Sequence, residues 1–258
     1  MEPMLRGLLA DVLTFLRFYS RLPIGDGAPS RLDFARMAPA LPIAGALIGA
    51  TGAAALLVAR ICHFPPLVCA LVAVAVLVLA TGALHEDGLA DVADGFGGGA
   101  TRESKLAIMR DSRVGTYGAL ALCFSILLRV AALASLFERS VALGAFALVF
   151  AGALSRVAGL APMMWLPPAR ADGLGATVAA PSREVWVRAW FAAAGIGLAP
   201  WLAGAGASQI AVAIVAAFAV AALIANLAKK QIGGYTGDVL GAAQQLAEIA
   251  ILAALSAV

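Results

Sequence analysis

Residues 67–84 read LVCALVAVAVLVLATGAL, and residues 85–99, directly after them, read HEDGLADVADGFGGG. The first segment carries no charge and is long enough to cross a bilayer, whereas the second concentrates four carboxylates near its start. If one helix continues through both segments, Asp87, Asp91 and Asp94 lie at i, i+4 and i+7 and share one face. Neighbouring acids on a helix face repel one another unless a cation compensates them. The junction therefore predicts a membrane helix that leads into an acidic site.

Composition extends this interpretation to the whole chain. Of the 258 residues, 62% are hydrophobic and 13% are charged, whereas soluble domains have about 25% charged residues. We therefore expect one all-α domain, residues 1–258, folded as a polytopic integral membrane helix bundle. The three cysteines have no paired spacing, so neither disulfides nor thiolate metal ligands are expected. The N-terminal segment lacks a signal-peptide cleavage pattern, and excess basic charge in such a chain sets orientation rather than indicating nucleic acid binding.

The hydrophobic pattern predicts about seven transmembrane helices and one interfacial helix. Residues 4–20 are amphipathic and are interrupted by Arg6, Asp11 and Arg17, as in a helix that lies along the membrane surface. With the N-terminus in the cytoplasm, fourteen of the eighteen Lys and Arg residues fall in cytoplasmic segments. We expect a multi-pass protein of the cell (inner) membrane, and the charge bias predicts that its polar clusters face the cytoplasm. The predicted spans are 41–59, 67–84, 117–137, 141–163, 191–207, 208–228 and 239–257.

The acidic segment predicts a divalent metal site. Carboxylates together with substrate phosphates are the usual ligands of Mg²⁺, so Glu86, Asp87, Asp91 and Asp94 are the candidate ligands. The glycines that follow them expose backbone N–H groups that could approach phosphate. His85 is either a proton carrier or an ordinary boundary residue. The alternative for the whole segment is a solvated helix end.

Basic residues follow in RESKLAIMRDSRVGTY, residues 102–117. Arg110 and Arg113 form either a phosphate clamp opposite the metal or a cytoplasmic anchor of the membrane helices. Asp111, between them, is a further candidate metal ligand or base. The sequence leaves these alternatives open.

A second glycine-rich segment precedes the last predicted span. Its glycines and hydroxyl resemble an anion-binding turn at a helix N-terminus. The alternative is a turn that serves only the fold. The candidate substrate-binding residues are Lys230, Gly233, Gly234 and Thr236, with Asp238 as a candidate catalytic residue.

Several ionisable or amide side chains fall inside or beside predicted spans. Such groups are costly in a membrane and are usually functional, although a hydrogen bond between helices would also account for Gln244 and Glu248. Arg156 either snorkels to the interface or reaches a substrate phosphate, and Arg129 is expected to pair with Glu248. Arg170, in a proline-rich turn, could close over a substrate.

Together these motifs resemble one family, the cobalamin synthases (adenosylcobinamide-GDP ribazoletransferases). The family signature HEDGLADxADG is similar to HEDGLADVADG at 85–95. Two positions depart from the family pattern: Gly97, where an aromatic residue is frequent, and Pro168, where Tyr is common. The N-terminal FLRFYSRLP (15–23) matches the family pattern less strictly. Four later segments are also similar and stand in the same order: IMRDSRVGTYG (108–118), LSR (154–156), LPPARADGLG (166–175) and GGYTGDVLGAAQQLAE (233–248).

The resemblance implies the final joining reaction of the cobalamin nucleotide loop. The donor would be adenosylcobinamide-GDP, the acceptor α-ribazole or its 5′-phosphate, and the products adenosylcobalamin or its 5′-phosphate and GMP. It implies Mg²⁺ as cofactor and the lipid bilayer as surroundings, and it leaves a homo-oligomer open. In this interpretation Asp94 or His85 accepts the proton of the attacking hydroxyl, and Asp238 completes the metal site or orients the acceptor. The cations that would neutralise the diphosphate are Arg110, Arg113, Arg156 and Lys230.

Three other classes predict different patterns. A CDP-alcohol phosphotransferase should show D-x2-DG-x2-AR-x8-G-x3-D-x3-D, and this chain lacks the first Asp and the AR. A membrane isoprenoid transferase should carry DxxxD on two helices, and only one is present. A transporter should distribute polar residues across the bilayer in repeated halves, whereas here they gather on one predicted side.

Overall fold

The computed structural model describes residues 2–25, 32–172 and 177–257. Over these ranges the chain is helical, and the β contact recorded there is an isolated bridge between Pro168 and Tyr235. A single 3₁₀ turn, Ala38–Ala40, precedes α3. In chain order the α-helices are α1 Glu2–Tyr19, α2 Phe34–Met37, α3 Leu41–Ile61, α4 Pro66–Thr81, α5 Leu84–Gly98, α6 Arg102–Ile108, α7 Thr116–Arg139, α8 Val141–Gly159, α9 Ala161–Trp165, α10 Arg183–Ile196, α11 Leu198–Leu202, α12 Ala207–Ile232 and α13 Gly237–Ser256.

The predicted multi-pass, all-α bundle is confirmed. Among the described residues, six helical segments are long and apolar enough to cross a membrane, and α4 with α5 makes a seventh if the bent pair is one span. This agrees with the prediction of about seven. The six segments are Phe34–Ile61, Thr116–Arg139, Val141–Trp165, Arg183–Leu202, Ala207–Ile232 and Gly237–Ser256.

One helix does not continue through residues 67–99, which was the condition under which the shared acidic face was considered. Gly82 and Ala83 have φ values of 62° and 57°, in the left-handed region, and the axes of α4 and α5 differ by 88°. Glycine adopts this conformation readily, whereas for Ala83 it costs about 1–2 kcal/mol. The acids therefore lie on a helix of their own that turns away from α4, although their shared face is retained.

The span predicted at 191–207 begins earlier than expected. Ser182 caps α10, its hydroxyl accepting a hydrogen bond from the backbone N–H of Val185 at 3.3 Å. The sequence interpretation placed residues 164–190 in a turn-rich cytoplasmic loop, so it left the start of α10 outside the span. The turn that separates the predicted spans 191–207 and 208–228 is confirmed, and Gly204 within it has φ 106°.

Glycines on α3 and α8 bring the two helix backbones into direct contact. A Cβ on Gly45 would lie 2.3 Å from the carbonyl oxygen of Gly152, and one on Gly49 would lie 2.3 Å from that of Leu148. No side chain larger than hydrogen fits at such distances. The small residues thus permit the close packing that membrane helices use in place of a hydrophobic driving force.

The last helix, α13, lies against α5, α7, α8 and α12 and is buried along most of its length. Glycines again set two of these contacts. A Cβ on Gly88 of α5 would lie 2.9 Å from the carbonyl oxygen of Asp238, and one on Gly159 of α8 would lie 2.8 Å from the Cβ of Gln244. These contacts carry polar side chains of α13 towards the acidic face of α5.

The N-terminal helix is anchored to the start of α3 by α2. Asp11 of α1 forms a bidentate ion pair with Arg36, with N–O distances of 2.9 and 2.7 Å. Phe15 is fully buried, and its ring centroid lies 5.5 Å from that of Phe34. Leu5 and Leu9, nearer the start of α1, are exposed, as expected of an amphipathic helix. This attachment fixes the end of α1 beside α5.

Candidate functional site

The three aspartates on the acidic face of α5 become progressively more buried along the helix. Asp87 is exposed, Asp91 is half-buried and Asp94 is buried. The Gly88 contact brings Asp238 into the same neighbourhood, and Asp87, Asp94 and Asp238 all repel a charge on Asp91. Arg170 is the one described cation that offsets this repulsion, and its Nη2 lies 3.5 Å from Asp238 Oδ2. The site therefore carries excess negative charge.

Glu86 belongs to a separate buried cluster. Its Oε1 accepts a hydrogen bond from Arg129 Nη2 at 2.9 Å, and Arg129 Nη1 lies 3.4 Å from Glu248 Oε1. The expected Arg129–Glu248 pair is thus confirmed, and Glu86 joins it. Because Arg129 is only 2% exposed, these charges compensate one another in a low-dielectric interior, where an unpaired charge would be strongly destabilising.

Asp94 holds the N-terminus of α7. Its Oδ2 accepts a hydrogen bond from Gly115 N at 2.7 Å, and its Oδ1 accepts one from Gly118 N at 2.8 Å. The first N–H groups of a helix have no partners within it, so this carboxylate acts as a cap supplied by another helix. A Cβ on Gly118 would lie 2.3 Å from Asp94 Oδ2, which explains why glycine stands there.

The predicted set of four metal ligands is therefore divided by the structure. Glu86 and Asp94 are engaged with protein groups, whereas Asp87 and Asp91 remain beside Asp238. Among the described residues, no group of three or more His, Cys, Asp or Glu side chains is arranged to hold a metal ion. Mg²⁺ commonly takes one or two carboxylates and completes its shell with water and substrate phosphate. The chemistry of Asp87 and Asp91 fits that smaller set.

The residues of the basic segment lie close to the acidic face, but they are engaged with carboxylates. Arg113 Nη2 lies 2.5 Å from Asp111 Oδ2, and Arg110 Nη2 lies 2.7 Å from both oxygens of Asp172. The hydrogen bonds from the Arg113 side chain hold the pKa of Asp111 at about 2. A carboxylate with so low a pKa is a poor general base near neutrality. The structure thus does not favour the predicted role of Asp111 as a base.

The glycine-rich turn before α13 is closed largely by the chain itself. Gly233 ends α12 with φ 72°, and Tyr235 N donates to Pro167 O at 3.0 Å. Gly234 is needed because a Cβ there would lie 2.4 Å from Pro167 O. Thr236 caps α13, and its hydroxyl donates to Asp238 Oδ2 at 3.1 Å. The glycines therefore serve the turn, and Thr236 orients a site carboxylate.

Two basic residues of these loops have different surroundings. Lys230 is exposed near the end of α12. Arg102, one of the basic residues of the segment 102–117, donates from Nε to Ile232 O and from Nη2 to Ala169 O, each at 2.7 Å. It joins the loop that carries Arg170 to the end of α12, just before the turn that leads to Asp238. The residues at the end of the predicted motif 166–175 lie outside the described ranges.

Gln244 and Arg156 lie at the deeper end of the site. Gln244 Nε2 donates to Ser155 Oγ at 2.9 Å and to Glu248 Oε2 at 3.1 Å, so the expected contact between helices exists. Arg156 is buried, and its Nη1 donates to Gly152 O at 2.8 Å. Its guanidinium carbon lies 6.0 Å from the ring centroid of Tyr19. Arg156 therefore does not snorkel away from the site.

Two cavities, each of about 300 Å³, flank the acidic face. The aromatic cavity includes Asp87 and Asp238 in its wall, and the loop cavity includes Asp94 and Arg113. Asp91 lies between them along α5. The aromatic cavity is lined by Phe18, Tyr19, Phe34, Leu84, His85, Asp87, Gly88, Arg156, Gly159, Leu160, Gly237, Asp238, Leu240, Gly241 and Gln244. The loop cavity is lined by Asp94, Gly98, Ile108, Asp111, Arg113, Gly115, Thr116 and Tyr117.

Sequence interpretation missed the aromatic residues of these walls. Tyr19 stacks on His85 with ring centroids 5.5 Å apart and an interplanar angle of 15°. The FYS within FLRFYSRLP was the available signal, but it gave no indication of what the rings contact. Tyr117 explains one departure from the family pattern, because a Cβ on Gly97 would lie 2.7 Å from its ring. The ring of Tyr117, from α7, thus occupies the space that a side chain at position 97 would need.

Comparison with known proteins shows the family of the chain. The family model described as cobalamin-5-phosphate synthase matches residues 11–256. A protein of Azorhizobium caulinodans named adenosylcobinamide-GDP ribazoletransferase is 51% identical over 95% of this chain and 94% of its own length. Proteins of the same name from Rhizobium etli strain CIAT 652 and Mesorhizobium japonicum are 45% and 46% identical, covering 95% and 96% of this chain and 96% and 93% of their own lengths. No solved structure matches the chain.

These matches extend over nearly the whole chain and include every segment on which the resemblance was based. They therefore decide against the CDP-alcohol phosphotransferase, isoprenoid transferase and transporter alternatives. The chain belongs to the cobalamin-5-phosphate synthase family.

Proposed function

We propose that the protein transfers the adenosylcobinamide phosphate group of adenosylcobinamide-GDP to α-ribazole or α-ribazole 5′-phosphate. The products are adenosylcobalamin or its 5′-phosphate and GMP. The observation that carries the proposal is the acidic face of α5, flanked by two cavities in a chain of this family. Two cavities beside one row of carboxylates suit a reaction that must bring two substrates together.

The reaction breaks the phosphoanhydride bond of a diphosphate and forms a phosphodiester. A ribose hydroxyl of the acceptor forms a bond to the phosphorus that carries the corrinoid arm, the bond from that phosphorus to the GMP oxygen breaks, and the hydroxyl proton passes to a base. Most of the catalytic advantage in such transfers comes from positioning and charge stabilisation. The protein must therefore hold two anionic substrates against a surface that is itself negative.

Asp87 and Asp91 are the residues that would hold Mg²⁺, with Asp238 oriented towards them by Thr236. When bound, the ion would compensate these carboxylates and the diphosphate together and lower the charge on the departing GMP. Arg170 would contribute a positive charge from the loop side, since it already lies beside Asp238. Arg113, which lines the loop cavity, and Arg110, which is close to it in sequence, would attract the diphosphate by exchanging their present carboxylate partners for phosphate.

Of the two predicted proton acceptors, His85 is better placed. Both oxygens of Asp94 are occupied by backbone N–H groups, whereas His85 Nε2 has no hydrogen-bond partner among the described residues. His85 also lies in the wall of the aromatic cavity with Asp87. Its orientation is fixed by the stacked ring of Tyr19.

We also propose that the site faces the cytoplasm from the inner membrane. The bias of Lys and Arg towards one set of loops supports this orientation. The nucleotide substrates are charged and cannot cross a bilayer unaided. Substrates present in the cytoplasm would therefore reach the site only from that side. Reaction of substrate added to sealed right-side-out vesicles, which expose only the outer face, would contradict it.

The experiment that tests the proposed function compares purified wild-type protein with Asp87→Asn and Asp91→Asn in nanodiscs. Wild-type protein should release GMP from adenosylcobinamide-GDP only when α-ribazole 5′-phosphate is present. Each variant should lose about 100-fold or more in rate, because a charge that stabilises the transition state is removed. The exposed pair Arg188 and Glu184 offers a control, and Glu184→Gln should retain full activity. Near-normal rates in both Asp variants would refute the assignment.

A further inference from the structure

We propose that the aromatic cavity binds the heteroaromatic base of the acceptor nucleoside, so that its walls determine which base the enzyme accepts. The inference rests on the proposed function and deepens it by assigning one substrate to one cavity. It follows from the chemistry of the walls, the size of the cavity and its position relative to the acidic face.

The walls suit a flat and largely apolar group. Phe18 and Tyr19 come from the end of α1, Phe34 from α2, and Leu84 and Leu240 from α5 and α13. Aromatic faces stack on other rings in offset or edge-to-face arrangements. The dimethylbenzimidazole of α-ribazole presents two ring faces and a methylated edge to such walls. Guanine, the base of the donor, has polar groups along its edges and would leave most of them unpaired there.

The size of the cavity supports the same choice. Its volume of about 300 Å³ is at the lower end of the roughly 300–1,000 Å³ of small-molecule sites. A nucleoside base with part of its sugar matches that volume, whereas a corrinoid ring is far larger. The corrinoid must therefore lie outside this cavity.

A polar atom at the deep end provides a contact for the sugar. Gln244 is 3% exposed and lines the cavity, and its Oε1 has no partner among the described residues. His85 Nε2 is unpartnered too and is the proposed proton acceptor, and Arg156 Nε is unpartnered in a residue that also borders a void of about 10 Å³, which is close to the size that one water needs. Gln244 does not border that void. An acceptor hydroxyl donating to Gln244 Oε1 would satisfy it.

The position of the cavity connects this binding to the reaction. Asp87 and Asp238 line the same cavity as Leu84 and Leu240. A nucleoside whose base occupies the aromatic part would therefore carry its ribose close to the carboxylates. The donor diphosphate would then approach from the loop cavity, on the other side of Asp91.

The test is a filling substitution at the cavity wall, Leu84→Trp, in full-length protein held in nanodiscs. Leu84 is 41% exposed, so a larger side chain does not have to enter the packed core. The matched control is Leu79→Trp, because Leu79 is 74% exposed and lines neither cavity. The KM for α-ribazole 5′-phosphate and the KM for adenosylcobinamide-GDP are measured separately from initial rates of GMP release.

We expect Leu84→Trp to raise the KM for α-ribazole 5′-phosphate by about tenfold and to change the KM for adenosylcobinamide-GDP by less than about twofold. Leu79→Trp should change neither constant. A rise confined to the donor KM would place guanine in the cavity and overturn the proposal. No change in either KM would show that the cavity is filled by lipid or is unused, and would also overturn it.

A second variant provides a readout that general damage to the fold would not move. Leu84→Ala widens the cavity, so it should lower the preference for dimethylbenzimidazole over a bulkier, tricyclic naphthimidazole acceptor by roughly three- to tenfold in the ratio of kcat/KM values. An unchanged ratio would contradict the assignment of the base. Failure of the wild-type protein to release GMP would instead refute the proposed function, so the two failures are distinguishable.

Discussion

Replacing Gly88 by Ala should reduce turnover by moving two helices apart, without removing any catalytic group. The added Cβ would lie 2.9 Å from Asp238 O, 3.2 Å from Asp238 Cα and 3.3 Å from Gly241 Cα. These are backbone atoms, so no side chain can rotate to make room. Ordinary contact begins at 3.4 Å, and α5 must therefore move from α13 by about 0.5 Å, at a cost of about 1–3 kcal/mol.

The catalytic consequence follows from that displacement. Asp87 and Asp91 would move relative to Asp238 by about the same distance. Since a misplacement of 1 Å can cost about 100-fold in rate, we expect kcat to fall by about tenfold. The KM for adenosylcobinamide-GDP should change little, whereas the KM for α-ribazole 5′-phosphate should rise, because Gly88 lines the aromatic cavity. Initial rates of GMP release and thermal unfolding in detergent provide the measurements.

Gly241→Ala is the matched control. Gly241 lies in the same contact between α5 and α13, but its Cβ would be 3.6 Å from its nearest neighbours, which is ordinary contact. Both substitutions also gain about 0.5–1 kcal/mol of helix stability relative to glycine. The difference in rate and stability between the two variants therefore reports the steric clash of the Cβ at position 88. Equal and unimpaired rates in the two variants would refute the reasoning that this contact sets the geometry of the site.

Three further predictions concern charged groups around the site. Asp94→Ala should destabilise the protein by about 1–2 kcal/mol by removing the cap of α7, and an unchanged thermal unfolding midpoint would contradict this. Arg129→Met should cost about 3–5 kcal/mol by leaving two buried carboxylates unpaired; adding Glu86→Gln and Glu248→Gln should recover most of that loss. Asp111→Asn should leave the pH–rate profile near neutrality unmoved, because the pKa of Asp111 is about 2. The stabilising pairing of Asp111 with Arg113 is fully present above the ordinary Asp pKa and is lost only as pH falls towards 2. A profile displaced near neutrality would contradict the conclusion that Asp111 is not the general base.

Helix periodicity and the cost of intramembrane charge predicted much of this architecture. The shared face of Asp87, Asp91 and Asp94 follows from 3.6 residues per turn, and it persists although α5 is a separate helix. The pair Arg129–Glu248 was predictable because each charge needs a partner in a membrane interior. The break between α4 and α5 at Ala83 was not predictable from the sequence. An alanine with positive φ has no sequence signal and is held in that conformation by the surrounding structure.

The remaining features depend on contacts between distant segments. Glu86 looked like a metal ligand because it adjoins Asp87, and only the fold brings Arg129 to it. Asp94 likewise finds its partners in the turn at Gly115. The aromatic cavity requires the ends of α1 and α2 to meet α5, and nothing in the local pattern of Phe18 and Tyr19 specifies that meeting.

The central claim is that the acidic face of α5 supports metal-dependent transfer to a ribazole acceptor. The most direct test supplies the purified, nanodisc-held protein with adenosylcobinamide-GDP, α-ribazole 5′-phosphate and Mg²⁺, and follows GMP and corrinoid products with and without EDTA. We predict equal amounts of GMP and cobalamin phosphate, abolished by EDTA and restored by excess Mg²⁺. Folded, lipid-supplied protein that forms neither product would contradict the assigned reaction, and full activity in EDTA would contradict the role of the carboxylates.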